Sequence, residues 1–248
     1  MGKLDGRVAL VSGASSGIGE AIARQFLAEG ADLAVVARRR ERLDALASDA
    51  RQAGRRCAVV TGDVREEETA LRAIQAALDE LGRIDILVNN AGIGIYGNLV
   101  ETSADDYDQM MDSNMRSTFL FTRHTVPSML ERGSGTIINV ASMAGVMGFP
   151  GEAAYCASKF AQVGFTQALD RELRPRGIKV GVVCPGGVKT EFAIGTGRTE
   201  EGVAASGMLD ADDVAQAVLL MATQPAGARI VEIRMRPMVE PLAGRDPE

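Results

Sequence analysis

Histidine occurs once, at His124, and tryptophan does not occur at all. A single imidazole excludes any His-rich zinc or iron centre. The three cysteines, Cys57, Cys156 and Cys184, form no C-x-x-C pair, which excludes a disulfide framework and a zinc ribbon. They read most simply as small buried apolar residues. No apolar run approaches the roughly 18 residues needed to span a bilayer. Residues 1–10 meet a Gly-rich turn before a signal-peptide core can form. Basic charge is also short, with 27 Lys+Arg against 33 Asp+Glu, a balance that disfavours a general nucleic-acid binder. The expectation is a soluble, cytoplasmic protein with neither membrane nor nucleic acid as partner, and with no metal. Disorder is excluded too, because 46% of the 248 residues are hydrophobic and 24% are charged.

What is present is an alternation of short apolar runs with longer amphipathic ones. Strands are predicted at 8–11, 33–36, 57–60, 84–88, 136–140, 180–183 and 229–235. Helices are predicted at 18–29, 41–53, 66–81, 104–132, 152–174 and 211–222. Glycines at 30, 54 and 82 close the first three helices. Continuous β-branched runs between helices point to parallel strands buried on both faces. In the last run Val231, Ile233 and Met235 alternate with Glu232 and Arg234, the period of a half-exposed edge strand. Pro127 is expected to bend the long helix. Residues 190–207 have no clear period and suit a functional loop. The tail after Pro237, with Pro241, Gly244 and Pro247, is expected to fray or to pack on a neighbour.

The first strand runs into Ser12-Gly13-Ala14-Ser15-Ser16-Gly17-Ile18-Gly19 and then a helix. Small residues in a first strand–turn–helix let the backbone approach a pyrophosphate, which the free N–H groups of the helix start then face. The second strand ends at Ala37. An NAD site usually places an acidic residue there for the ribose 2′-hydroxyl, but Arg38, Arg39 and Arg40 follow instead. Guanidinium groups are suited to a 2′-phosphate, so NADP(H) is the expected cofactor.

Taken together, Gly13-x-x-x-Gly17-Ile18-Gly19, Asp63-Val64, Asn89-Asn90-Ala91-Gly92, Asn114, Ser142, Tyr155-x-x-x-Lys159 and Pro185-Gly186-x-Val188-x-Thr190 resemble the short-chain dehydrogenase/reductase family. The resemblance runs over nearly the full length, and Ser12 stands where that family usually has Thr. It implies an α/β fold: a single Rossmann-type, doubly wound parallel sheet of about seven strands, with helices on both faces. Residues 1–248 would then form one NAD(P)-binding domain with a substrate loop at about 190–208. It also implies a catalytic set of Asn114, Ser142, Tyr155 and Lys159. The implied cofactor contacts are Gly13, Ser15, Ser16, Gly17, Ile18, Gly19, Arg38, Arg39, Asp63, Val64, Asn90, Ala91, Gly92, Tyr155, Lys159, Pro185, Gly186, Val188 and Thr190.

Residue chemistry agrees with the resemblance. Tyr155 and Lys159 lie four apart on a predicted helix and so share a face. A phenol with a pKa of about 10 works poorly near neutrality until a nearby ammonium stabilises its phenolate. Of three tyrosines, only Tyr155 has a lysine four residues on. The chain has just four lysines (Lys3, Lys159, Lys179 and Lys189) among 27 Lys+Arg, so a lysine at 159 suggests a need for a compact ammonium. Ser142 follows a strand at its carboxyl end and is placed by the resemblance to hold a carbonyl oxygen. The resemblance further implies that Asn114 bends its helix and holds a water in a relay to Lys159.

The substrate pocket is expected from Ile93, Tyr96, Met143, Val146, Met147 and Phe149, together with the loop. These residues suggest an apolar carbonyl compound, although Lys189 and Arg198 can supply a cation. The implied activity is NADP(H)-dependent interconversion of a ketone or aldehyde with an alcohol. Two alternatives stay open. One is a 3-oxoacyl-thioester reductase, docked to an acidic carrier through Arg123, Arg132, Arg171 and Arg174. The other is a non-catalytic dinucleotide-binding regulator. The ending from Ile230 to Pro237 is closer to the branch of broad-range aldehyde, ketone and hydroxy-acid reductases. A homotetramer or homodimer through the helices at 104–132 and 152–174 is expected.

Overall fold

In the computed structural model, which describes residues 2–239, seven short strands lie side by side. They are β1 (Val8–Ser12), β2 (Asp32–Ala37), β3 (Cys57–Thr61), β4 (Ile86–Asn89), β5 (Gly135–Val140), β6 (Ile178–Pro185) and β7 (Glu232–Met235). Every pairing is parallel and the order is 3-2-1-4-5-6-7. The expected doubly wound sheet of seven strands is therefore what the chain forms.

The reason is visible in β1. All five of its residues are buried, and alternate ones serve opposite layers. Ala9 and Val11 pack with Ile22 and Phe26 of α1 (Gly17–Ala28), Leu43 of α2 (Arg40–Gln52) and Val218 of α8 (Ala211–Ala222). Val8 and Leu10 pack on the other side with Ala73 of α3 (Glu67–Ala76) and Phe121 of α5 (Ser117–Arg132). Leu173 of α6 (Ala153–Leu173) joins that second layer. A strand buried on both faces tolerates no polar alternation, hence the unbroken apolar runs.

Four local departures from the expected elements stand out. The helix predicted over 104–132 is continuous but carries a π-helical turn at Asp112–Arg116 between α4 (Ala104–Met111) and α5. Asn114 lies at the centre of that turn, and Pro127 lies inside α5. The helix predicted to reach Leu81 likewise ends in a π turn at Ala77–Leu81. Within the segment without a clear period, Glu200–Ala205 forms a short helix, α7, whose start is capped by Thr199. The last strand is shorter than the predicted 229–235, but it is the sheet edge, with Ile233 and Met235 turned to the core. Pro241, Gly244 and Pro247 lie outside the described residues.

Parallel strands place all their carboxyl ends on one side. β1 separates β2 and β3 from β4 to β7, so connections leave it in opposite directions and open a crevice at that edge.

Candidate active site

A cleft of about 820 Å³ opens at this carboxyl edge. The ends of β1 to β6 contribute to it. β1 leads into Gly13, Ser15, Ser16, Gly17, Ile18 and Gly19; β2 into Arg38 and Arg39; β3 into Asp63 and Val64. Asn90, Ala91 and Gly92 follow β4, and Pro185, Gly186, Val188 and Thr190 come from β6 and its loop. Every residue expected to contact a cofactor therefore lines one continuous cleft.

The cradle is tightly built. Gly13 has φ +69°, and a β-carbon on it would sit 2.8 Å from the Ala91 Cα. A β-carbon on Gly19 would overlap the Gly13 carbonyl oxygen. Ser12 keeps the one group that matters at its position: its Oγ accepts from the N–H groups of Asn90 (3.1 Å) and Ala91 (3.2 Å), locking the β4 exit to β1. Ser16 precedes α1 but its side chain does not cap it, which leaves the first N–H groups of α1 uncapped by that side chain.

The Ser16 Oγ instead accepts from Arg39 Nη2 at 2.5 Å, and the Ser15 Oγ accepts from Arg39 Nε at 3.2 Å. Arg39 Nη1 donates to Glu191 at 2.7 Å, and Arg42 reaches the same carboxylate at 2.9 Å. These arginines hold the Glu191 carboxyl below the usual carboxylate range. Asp63 is bound by Arg65 at 2.7 Å, which lowers its pKa in the same way. Guanidinium groups, hydroxyls and free helix N–H groups form a donor set for a phosphorylated dinucleotide, so the cleft fits NADP(H).

Deeper in the cleft stand Ser142, Tyr155 and Lys159. Tyr155 and Lys159 are both buried on α6, with Lys159 Nζ 5.8 Å from the centre of the Tyr155 ring. Burial raises the phenol pKa. Tyr96 and the Glu152 charge add to this, while the Ser142 hydroxyl and the Arg198 charge oppose it. Lys159 faces elsewhere in this arrangement: Nζ donates to Gln162 Oε1 at 2.8 Å and to the Val140 carbonyl at 3.3 Å. Burial lowers its pKa to about 7. The Ser142 Oγ accepts from the Ala144 N–H at 3.1 Å, starting the 3₁₀ turn Met143–Gly145.

Asn114 does not line the cleft. It is fully buried behind Gly92, where a β-carbon would come 2.7 Å from its Oδ1. Its Oδ1 accepts from the Ile93 N–H (2.8 Å), and its Nδ2 donates to the Ile93 carbonyl (3.0 Å) and the Ser158 Oγ (2.8 Å). Asn114 thus ties the exit of β4 to α6.

The expected pocket needs correction at two positions. Ile93, Tyr96, Met143 and Phe149 line the cleft, but Val146 and Met147 do not. After the Met143–Gly145 turn, Val146 packs against the cluster of Met143, Val163 and Cys184, while Met147 faces solvent. Lys189 also points away, pairing with Asp210 at 3.4 Å. Phe192, Arg198 and Glu152 take their place in the lining. Two segments hold Phe192 and Arg198 there: the Tyr96 N–H donates to the Thr196 carbonyl (2.8 Å), and Thr196 Oγ1 donates to the Gly94 carbonyl (2.7 Å).

Sequence reasoning missed the polar layer behind the site. Gln162 takes the Lys159 ammonium and donates to Thr118 Oγ1 at 2.8 Å. Asn89 donates to Asn139, and Asn139 to Thr166. A signal was present: polar residues at 114, 118 and 122, and at 158, 162 and 166, repeat every four positions on two helices.

Comparison with known proteins bears on the same residues. The family model of the short chain dehydrogenases matches residues 7–201. The oxidoreductase UcpA of Escherichia coli is 42% identical over 194 residues, covering 78% of this chain and 73% of that protein. A serine dehydrogenase solved in its closed form with NADP+ superposes with a TM-score of 0.89 at 31% identity, covering 97% of this chain and 99% of that one. An alcohol dehydrogenase of Thermococcus sibiricus, solved with 5-hydroxy-NADP, gives a TM-score of 0.84 at 28% identity, covering 98% and 99%.

Proposed function

Because the chain belongs to the short-chain dehydrogenase/reductase family, we propose that it interconverts an alcohol and a ketone or aldehyde using NADP(H), with Tyr155 as general acid and base. The observation that carries this reading is the meeting of Ser142, Tyr155 and Lys159 in one cleft with the Arg39–Ser15–Ser16 donor set. Solved relatives that hold NADP or an analogue include enzymes named as alcohol and serine dehydrogenases.

When bound, the nicotinamide accepts or supplies the hydride. The chain's residues do the rest. Arg38 and Arg39 hold the 2′-phosphate, and the glycine cradle admits the pyrophosphate. Ser142 donates a hydrogen bond to the substrate oxygen. Tyr155 gives that oxygen a proton in reduction and takes it in oxidation. Its phenolate is disfavoured by burial. The Lys159 ammonium therefore has to swing from Gln162 toward the phenol and the ribose hydroxyls to bring Tyr155 into a working range. Asn114 holds the Ile93 backbone in register and supports the proton path to Lys159.

The site argues against the thioester alternative. Three of its four arginines, Arg132, Arg171 and Arg174, lie at the ends of α5 and α6, which run to the opposite edge of the sheet from the cleft, while Arg123, midway along α5, lies over the Phe119 ring. Arg132 is engaged by the carbonyls of Ser128 and Ile84. A carrier docked there would face away from Tyr155. The presence of Ser142, Tyr155 and Lys159 in one cleft likewise favours an enzyme over a regulator. The exposed Tyr107, Phe119 and Phe160 on α4, α5 and α6 suit a homo-oligomer through these helices.

The test is Tyr155→Phe. It is expected to cut turnover by about 10²–10⁴-fold and leave NADPH binding, followed by cofactor fluorescence, intact. Undiminished turnover would refute the assignment.

A further inference from the structure

The pocket wall beyond Tyr155 carries two opposite charges that do not pair with each other. Arg198 is half-buried in the cleft lining, with its guanidinium carbon 5.9 Å from the centre of the Tyr96 ring and 5.8 Å from that of Phe192. Those two rings stand 5.5 Å and 5.8 Å from the Tyr155 ring. The guanidinium donates weakly to the Val188 carbonyl at 3.5 Å, also engages the Tyr96 hydroxyl, and forms no ion pair among the described residues. Most of its five donors are therefore unassigned.

Glu152 stands three residues before Tyr155, as the N-cap of α6, and its charge acts on the phenol. It too lines the cleft and is half-buried, and its carboxylate accepts no hydrogen bond among the described residues. Burial raises its pKa, and the Arg198 charge opposes that rise without the two groups being in contact.

We infer that Arg198 and Glu152 form a recognition pair for a small zwitterion, a hydroxy or oxo compound that carries both a carboxylate and an ammonium group. A half-buried charge without a partner is costly. A neutral substrate leaves both groups unpaired, and a singly charged one leaves one of them unpaired. A ligand with both charges satisfies both: its carboxylate takes the planar guanidinium fork and its ammonium takes Glu152. The aromatic stack of Tyr96 and Phe192 fixes Arg198 at low entropic cost and keeps water from it. The inference rests on the proposed alcohol–carbonyl chemistry at Tyr155 and names its substrate class. It replaces the apolar substrate suggested by the pocket residues expected from the sequence.

The experiment uses the full chain with NADP+ and four compounds that share a secondary alcohol: 2-amino-3-hydroxybutanoate (each stereoisomer), 3-hydroxybutanoate, 1-aminopropan-2-ol and butan-2-ol. The expected result is that one stereoisomer of the amino acid exceeds the other three compounds in kcat/KM by at least about tenfold, the worth of one charge-assisted contact. Arg198→Gln should collapse the ratio of amino acid to amino alcohol, and Glu152→Gln the ratio of amino acid to 3-hydroxybutanoate. Arg198→Lys should restore part of the first. Calorimetric binding of the same compounds to the NADP+ complex is measured in parallel, so that the preference is decided even where turnover is slow. Turnover or binding that favours butan-2-ol or either singly charged compound would overturn the zwitterion pair and leave the reaction standing. Absence of NADP+ reduction with every compound, beside tight binding of the amino acid, would instead count against the reaction and support the pair.

Discussion

Arg39 and Glu191 form an ion pair at 2.7 Å that bridges the second strand–helix turn and the start of the loop over the pocket. The same guanidinium holds Ser15 and Ser16, so it stands at the junction of cofactor and substrate ends. A 2′-phosphate at this place competes with Glu191 for Arg39. Glu191→Gln is expected to tighten NADPH about two- to fivefold, the scale of one exposed ion pair, with little change for NADH. Arg39→Ala should weaken NADPH at least about tenfold more than NADH. Fluorescence titration with both cofactors decides it, and equal changes for the two would remove the phosphate role.

Lys159 imposes a pH dependence on the unliganded protein. Burial lowers its pKa from 10.5 to about 7. Between those values the unfolded chain binds more protons than the folded one, so stability from this group rises with pH over that window. Below pH 7 the ammonium is charged in both states and its burial is a full cost. Wild type should gain stability relative to Lys159→Met as pH goes from 7 to 9, read as the difference in urea midpoints. The raised thiols of Cys57 and Cys184 act in the opposite direction; that of Cys57 is common to both proteins, and that of Cys184 is too apart from a minor effect of the Lys159 charge.

Asn114→Ala removes the side chain that, among the described residues, satisfies both the N–H and the carbonyl of Ile93. The expected loss is about 1–3 kcal/mol, seen as a lower urea midpoint with an unchanged m-value. Asn114→Asp keeps the acceptor for the Ile93 N–H but places a carboxylate against the Ile93 carbonyl, so it should not restore stability.

Gly19→Ala sets a β-carbon against the Gly13 carbonyl and the Asn90 side chain. Neither can retreat, since Asn90 is itself bonded to the Ser12 and Gly13 carbonyls. A melting temperature well below wild type and loss of NADPH binding are expected. Gly54→Ala is a control for glycine loss, because a β-carbon there meets nothing within 4 Å; its strain comes only from the positive φ.

The sheet was readable because each strand is buried on both faces, which writes itself as Val-Ala-Leu-Val or Leu-Ala-Val-Val without a polar break. The cradle and the Tyr155–Lys159 pair were readable because their chemistry demands particular residues at fixed spacing. The pocket was not. Val146 and Met147 look like lining in an apolar stretch, yet a single 3₁₀ turn points one inward and the other outward. Phe192 and Arg198 sit in a loop whose shape depends on bonds to residues about a hundred positions earlier, which no local pattern records. The place of Lys159 against Gln162 is an i,i+3 relation, but its meaning appears only when α5 brings Thr118 to the other side.

Ser142 shows what a backbone contact can do to a hydroxyl. In water such a group is indifferent, as ready to give a hydrogen bond as to take one. Here the Ala144 amide occupies one acceptor site of its oxygen, and the hydrogen is left to turn toward the cleft. The group has been given a polarity. In the proposed reaction that hydrogen would meet a carbonyl or alkoxide oxygen in either direction, while one acceptor site remains beside it. A turn three residues long thus biases the direction of a hydroxyl beside Tyr155.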